Sequence, residues 1–405
     1  MKVLLCLTLV FSILTGCADS EEKLIQKADK IHQSILTVDT HCDTPMWFSD
    51  QSFDLGVRHD EVCVDFPKMK EGGLHSEFFA VFTGQGPRDD SSIMKVHNKA
   101  LAIFNSIHEN VKKNSEIAEI ALTADDAYRI RKEGKIAAFI GVENGYPIGK
   151  NLSGVEELYN LGARYITLSH SKNNDICDSS TDPAGAENNG LSPFGTEVVK
   201  EMNRLGIMVD ISHVSDKSFY DVLNISKTPV IASHSSCRAL CGSPRNLTDD
   251  MLLALKQNGG VIQICILGNY LRTPEPNPVL DDKLKELQKT YGDYNTLPDS
   301  TRKKLRNEYR EIQRKYEKPA IVKDVVDHID HVVQVIGIDY VGIGTDFDGG
   351  GGVDGCRNAS EMKNITIEML RRGYSKSDIT KVWGGNVMRV LRQVEAGAAA
   401  KTSAV

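Results

Sequence analysis

Eight short apolar runs, most of them followed by a longer stretch of helical periodicity, recur along this chain and leave few folds open to it. The runs are Ile35–Asp39, His75–Phe82, Ile136–Val142, Tyr165–Leu168, Gly206–Ile211, Pro229–Ala232, Gly260–Cys265 and Tyr340–Gly344. They are rich in β-branched residues and apolar at nearly every position, the pattern of strands buried on both faces. Between them, Ser92–Asn110, Leu152–Leu161, Gly195–Leu205, Asp216–Asn224 and Asp249–Gln257 repeat their apolar residues at helical spacing. Glycine closes two of these stretches, in Asn203-Arg204-Leu205-Gly206 and Gln257-Asn258-Gly259, as helix C-termini favour. Strands alternating with helices imply a parallel sheet covered on both sides. Eight such units in 405 residues predict an α/β fold, a closed (β/α)8 barrel of the TIM type. No glycine-rich dinucleotide fingerprint follows the first run, which weakens the open doubly wound alternative.

Three segments depart from the rhythm. Asp281–Lys318 is dense in charge, carries Tyr291, Tyr294, Tyr309 and Tyr316, and reads as a helical insertion after strand seven. The alanine-rich end, 396–405, reads as a frayed tail. At the other end, Lys2 precedes an apolar run from Val3 to Leu14, too short to span a bilayer but suited to a signal segment. It ends in Leu14-Thr15-Gly16-Cys17, which resembles a bacterial lipobox and predicts lipidation of Cys17. The expected layout is a signal peptide over 1–16, a solvated tether over 17–30 and the barrel domain over 31–395. The expected location is the bacterial cell envelope, with the membrane as partner through that anchor. A net charge of −7 gives no electrostatic reason to expect nucleic acid as partner. Of nine cysteines, seven remain once Cys6 and Cys17 are set aside, and their scatter predicts no disulfide framework.

Polar residues gather where the predicted strands end. Strand one runs into Asp39-Thr40-His41-Cys42-Asp43, strand three into Glu143 and strand four into His170. Strand five is followed by His213, strand six by His234, and strand eight by Asp346 with Asp348 close by. In a (β/α)8 barrel these carboxyl ends converge on one face, where active sites are built. His41 and Asp43 stand two apart, so an extended chain turns both side chains the same way. An isolated histidine after a strand is more often structural than a ligand, so the force lies in the conjunction. Neutral imidazole with carboxylate is a ligand set that suits zinc, and this many ligands can hold two ions.

The motifs D-T-H-C-D-T-P (Asp39–Pro45), G-V-E-N-G (Gly141–Gly145), Y-I-T-L-S-H (Tyr165–His170) and V-D-I-S-H-V-S (Val209–Ser215) resemble those of the membrane (renal-type) dipeptidases. So do P-V-I-A-S-H-S-S (Pro229–Ser236), S-P-R-N (Ser243–Asn246), V-G-I-G-T-D-F-D-G (Val341–Gly349) and W-G-G-N (Trp383–Asn386). The resemblance implies an amidohydrolase-type barrel with two zinc ions, a dipeptide substrate and a homodimer. It implies His41 and Asp43 on the more buried zinc, His213 and His234 on the second, and Glu143 bridging them. It further implies that His170 contacts the scissile carbonyl, Arg245 grips the substrate's terminal carboxylate, and Asp346 handles protons. Cys42 stands where the family often has a polar residue, and alternation points it away from the metals. Other readings are a deaminase, lactonase or phosphoesterase on the same scaffold, or an inactive peptide-binding lipoprotein. Preferred dipeptides, including any with a C-terminal D-residue, are not legible in the sequence, and ligand type favours zinc without excluding manganese or cobalt.

Overall fold

Apolar residues fill strands that are covered on both sides. The strands are β1 (Val38–Cys42), β2 (Ser76–Phe82), β3 (Ala118–Ile120), β4 (Ile136–Glu143), β5 (Ala163–Thr167), β6 (Met208–Asp210), β7 (Ile231–Ser235), β8 (Val261–Ile264) and β9 (Val341–Ile343). The computed structural model describes residues 21–48, 53–273, 275–292, 297–316 and 319–402. Cys17 and the expected signal segment lie outside the described residues. All strand pairs are parallel, in the order β1-β2-β4-β5-β6-β7-β8-β9. The chain leaving β9 closes the ring on β1: Asp346 N donates to His41 O (3.0 Å) and Asp43 N to Phe347 O (2.7 Å). The result is a nearly closed eight-stranded barrel with helices between the strands, as the sequence predicts.

Three local differences have physical causes. The three-residue β3 pairs with Ile136–Ala138 of β4, below the stretch of β4 that pairs with β5. It is too short, and too polar at Glu119, to show a strand pattern of its own. Strand β1 begins at Val38 rather than Ile35, because Ile35 and Leu36 are buried ahead of the strand. Its polar end, through His41 and Cys42, therefore lies inside the strand. Likewise β7 runs on to Ser235 and includes His234. The helices after β5, β6 and β7 start on Ser192, Ser215 and Thr248, each accepting a backbone N–H in the first turn. Two of these helices end on Gly206 and Gly259, at φ 86° and 79°, a conformation glycine adopts without steric cost.

Among the described residues, the first and last segments are helical where the sequence suggests a tether and a frayed tail. Residues 21–34 form a helix whose Ala28 and Ile31 are buried, so the expected tether is a docked helix from residue 21 onward. Lys363 and Asp29 (2.7 Å), and Arg371 and Glu21, pin it to the neighbouring helix Lys363–Arg371. The helix Asn386–Thr402 continues through most of the expected tail. Its Val387, Leu391 and Val394 pack with Val38, Phe78 and Tyr165, so the amino-terminal end of the barrel is plugged. The insertion is helical as predicted: Pro278–Tyr291 and Asp299–Tyr316 pair as a hairpin between β8 and the helix Val322–Val335. Tyr291 donates to Glu308 across the hairpin (2.8 Å), while Tyr294 lies outside the described residues. No described cysteine forms a disulfide.

His32 fastens the first helix. It is 2% exposed, and its Nε2 lies 2.6 Å from Thr366 Oγ1, which also accepts from Trp383 Nε1 at 2.6 Å. Burial, the largest cause, lowers its pKa from 6.5 to about 4. Between those values the unfolded chain binds a proton that the folded chain refuses, so stability falls as pH drops through this window. The loss attributable to His32 is on the order of 3 kcal/mol by pH 4. Thermal melts of the wild type and His32→Gln should show a shallower fall in Tm between pH 6.5 and pH 4 in the variant. His75, also lowered to about 4 by burial, retains a share of the slope. Identical slopes would rule out this role for His32.

Candidate active site

The strand ends place the sequence-predicted residues around one carboxylate. Glu143 closes β4, and its Oε1 lies 3.1 Å from His213 Nε2, 3.5 Å from His234 Nε2 and 3.6 Å from His170 Nε2. Its other oxygen, Oε2, lies 3.6 Å from His41 Nε2, which in turn is 3.5 Å from Asp43 Oδ2. Three overlapping groups could each hold a cation: His41–Glu143–His234, Glu143–His170–His213 and His41–Asp43–Asp346. All of these residues are buried except His170, whose side chain is 23% exposed at the mouth. Cys42 belongs to none of the groups.

Several of these residues stand on strained backbone. His213, Asp346 and Asp348 adopt φ of 68°, 60° and 68°, a region that costs non-glycine residues about 1–3 kcal/mol each. Hydrogen bonds hold them there. His213 O accepts from Ser180 N (2.8 Å), and Asp346 O accepts from Gly349, Gly350 and Gly351 N. Asp348 faces elsewhere, accepting from Thr44 Oγ1 (2.8 Å) and Cys63 N (3.0 Å), so it ties the loop to the chain after β1. A Cβ at Gly349 would lie 2.1 Å from Asp43 Oδ2 and 2.3 Å from Asp346 Oδ1, so a side chain there would displace both carboxylates.

The buried charges respond to one another. Burial opposes ionisation of Glu143, but the surrounding His41 and His170 outweigh it and hold the carboxyl well below its ordinary range. Burial and then the charge of Glu143 push Asp43 up to about 6. Burial, reinforced by Asp43, raises Asp346 well above the usual carboxylate value. Burial keeps His213 and His234 neutral, well below the ordinary imidazole value. Neutral imidazoles are the form that binds cations.

Unsatisfied atoms test whether these residues fit a metal. His41 Nε2 and Asp43 Oδ1 are buried without a hydrogen-bond partner, and His213 Nε2 faces His234 Nε2 at 2.9 Å. Orphaned buried polar atoms around a central carboxylate would cost free energy unless a cation met them. The donor set fits divalent ions of the zinc type.

Sequence reasoning missed the layer behind these residues. His41 Nδ1 pairs with Tyr165 OH (2.7 Å), and His234 Nδ1 with Ser233 Oγ (2.8 Å). Asp39 accepts from Thr345 N (2.8 Å) and Thr345 Oγ1 (2.5 Å), joining β1 to the segment that carries Asp346. Tyr165, Asp210 and Ser233 all lie inside the motifs quoted above, where they read as ordinary strand residues. Their signal is a polar group at a strand position that should be apolar.

Arg245 sits across the mouth. Its guanidinium donates to His234 O (2.9 Å) and Ser235 Oγ (3.3 Å) and lies 5.2 Å from the Tyr270 ring centre. It is 4% exposed, yet Nε has no partner. Asn246 fixes the turn beside it through Cys241 O (2.9 Å) and Tyr270 O (2.8 Å). His170 packs between the rings of Phe82 (4.8 Å) and His213 (4.2 Å).

Comparison with known proteins agrees with this geometry. Residues 25–404 match the model of the membrane dipeptidase family, peptidase family M19. The dipeptidase tcpJ of Claviceps purpurea (strain 20.1) is 35% identical over 343 residues, covering 84% of this chain and 71% of that protein. The crystal structure of the probable dipeptidase PvdM from Pseudomonas aeruginosa shares 31% identity and a TM-score of 0.81, covering 93% of this chain and 100% of that one. A metallo peptidase from Rhodobacter sphaeroides, solved with a phosphinate mimic of L-Ala-D-Ala, shares the fold at a TM-score of 0.72 and 22% identity, covering 89% of this chain and 99% of that one. With its matched length, its barrel and its Glu143-centred cluster, the chain belongs to the membrane dipeptidase family.

Proposed function

We propose that this chain is a dipeptidase that uses two zinc ions to hydrolyse the peptide bond of dipeptides. The observation that carries the reading is the pairing of the Glu143-centred ligand cluster with a nearly buried arginine whose Nε is unpartnered. His41, Asp43 and Glu143 would hold one ion, and His213, His234 and Glu143 the other. Bound there, the ions supply Lewis acidity and a water of lowered pKa.

The remaining work falls to the chain's own groups. Asp346, as a carboxylate, takes the proton of the attacking water and passes it to the departing amine. His170, at the mouth, donates to the oxygen on which negative charge develops. Arg245 offers its free N–H to the substrate's terminal carboxylate, and charge-assisted pairing fixes the scissile bond over Glu143. A clamp for a free carboxylate one residue from the cleaved bond favours dipeptides over longer chains. A deaminase, lactonase or phosphoesterase has no use for that clamp, so those readings are not favoured.

The lipobox-like Leu14-Thr15-Gly16-Cys17 supports lipidation at Cys17 and a place on the bacterial envelope. Among the described residues no helix is long and apolar enough to cross a membrane. Family resemblance supports a homodimer.

Three experiments test the assignments. Arg245→Ala should lower kcat/KM on a dipeptide about 100-fold, the scale of losing a buried charge pair. On the corresponding dipeptide amide, which lacks the carboxylate, it should change little; equal losses on both substrates would refute the clamp. Asp346→Asn should lower kcat about a thousandfold while metal analysis still finds two zinc ions per chain. Loss of metal in parallel with activity would make Asp346 a ligand instead. Chelation of the wild type should abolish cleavage of a dipeptide panel, with zinc restoring it.

A further inference from the structure

Asp210, on β6, is completely buried beneath the candidate centre, and each hydrogen-bond partner of its side chain donates to the carboxylate. Oδ1 accepts two backbone N–H groups, from Ser212 (3.0 Å) and Ser233 (2.9 Å). Oδ2 accepts two hydroxyls, from Ser233 (2.6 Å) and Thr167. Four donors, from the neighbouring strands β5 and β7 and from the turn after β6, leave this group no role except as an acceptor. The Ser233 hydroxyl has one hydrogen. Once it is given to Asp210, the Ser233 oxygen can only accept at its other contact, 2.8 Å from His234 Nδ1. His234 must then carry its proton on Nδ1, which leaves the Nε2 lone pair turned toward His213 Nε2, 2.9 Å away, and Glu143 Oε1, 3.5 Å away.

We propose that Asp210 sets the tautomer of His234 through the Ser233 hydroxyl and so makes His234 a positioning-competent metal ligand. The inference rests on the reading that His213, His234 and Glu143 hold a divalent ion. His41 is backed differently, by the neutral phenol of Tyr165 at 2.7 Å. The relay thus applies to one of the two positions only. Ser212 Oγ, 3.4 Å from Ser233 Oγ, is the long alternative contact and already accepts from His234 N (3.1 Å).

The geometry makes Asp210→Asn an informative change. The two backbone N–H groups at Oδ1 require an oxygen there, so the amide nitrogen replaces Oδ2. That nitrogen donates to Ser233 Oγ, the Ser233 hydrogen turns toward His234 Nδ1, and the imidazole proton moves to Nε2. The nitrogen that should bind the ion is then blocked by a proton, as happens when the orienting carboxylate of a catalytic triad becomes an amide. Ser233→Ala removes the relay but leaves the tautomer free, so its effect should be smaller.

Chelator competition with zinc on the full chain separates these cases. The wild type should release two ions in two steps. Asp210→Asn should weaken one step about 100-fold and Ser233→Ala about tenfold, within the range for groups behind a metal ligand. Ser233→Thr, which keeps the hydroxyl, should stay near the wild type. The double variant Asp210→Asn/Ser233→Ala should bind more tightly than Asp210→Asn alone, because the reversed donor is gone. Nitrogen-15 NMR of the metal-free wild type should show His234 protonated on Nδ1, and of Asp210→Asn on Nε2. Unchanged affinity in Asp210→Asn, a double variant as weak as the single, or Nε2 protonation in the wild type would each overturn the proposal. If Asp210→Asn does not fold, Ser233→Ala binding like the wild type overturns it. A wild type that binds no zinc overturns the metal-site reading instead, and the NMR measurement still decides the tautomer.

Discussion

Everything at the carboxyl end of the barrel answers to the burial of Glu143. An isolated carboxylate withdrawn from water is costly, and such groups persist only when charge and hydrogen bonds meet them. Four imidazoles lie within 3.6 Å of its two oxygens. Burial keeps His213 and His234 neutral, so these rings offer dipoles and lone pairs rather than full positive charges. The remaining negative charge, shared with Asp43 and Asp346, calls for a cation. The chemistry of the family and the electrostatics of this fold therefore require the same thing.

That requirement divides the barrel in two. Its lower half is ordinary core, where Val38, Phe78, Phe139 and Tyr165 meet the C-terminal helix. Its upper half is a polar shell in which Asp39 pairs with Thr345, and Asp210 with the Ser233 hydroxyl that contacts His234. Tyr165 spans the boundary, with its ring in the apolar layer and its hydroxyl on His41. Full satisfaction of such a network is what lets it be buried at all. The strained φ of His213 and Asp346 is sustained by the same rigidity.

The barrel was legible because parallel strands covered on both faces are almost wholly apolar, and that pattern survives in one dimension. Convergence of Glu143, His213 and His234 followed from topology once the strands were counted. The polar shell was not legible in this way. Asp210 reads as an ordinary strand residue, and Thr345 as one just past a strand, until their partners, far away in sequence, are known. Such partners also explain the misplaced ends of β1 and β7, whose last residues are polar yet buried. The helix over 21–34 reads as tether as far as residue 30 because its buried face consists of only a few residues, with an acidic start. β3 was too short to carry a pattern.

The plug formed by Asn386–Thr402 has a consequence for traffic. With the far end of the barrel sealed by Val387, Leu391 and Val394, water, substrate and both products share a single doorway. Entry and exit then share that doorway, and under the proposed clamp a product held by Arg245 would occupy the path of the next substrate. Retention of the carboxyl-terminal amino acid would then limit turnover under saturating conditions, which ties the tightness of the clamp to an upper bound on speed.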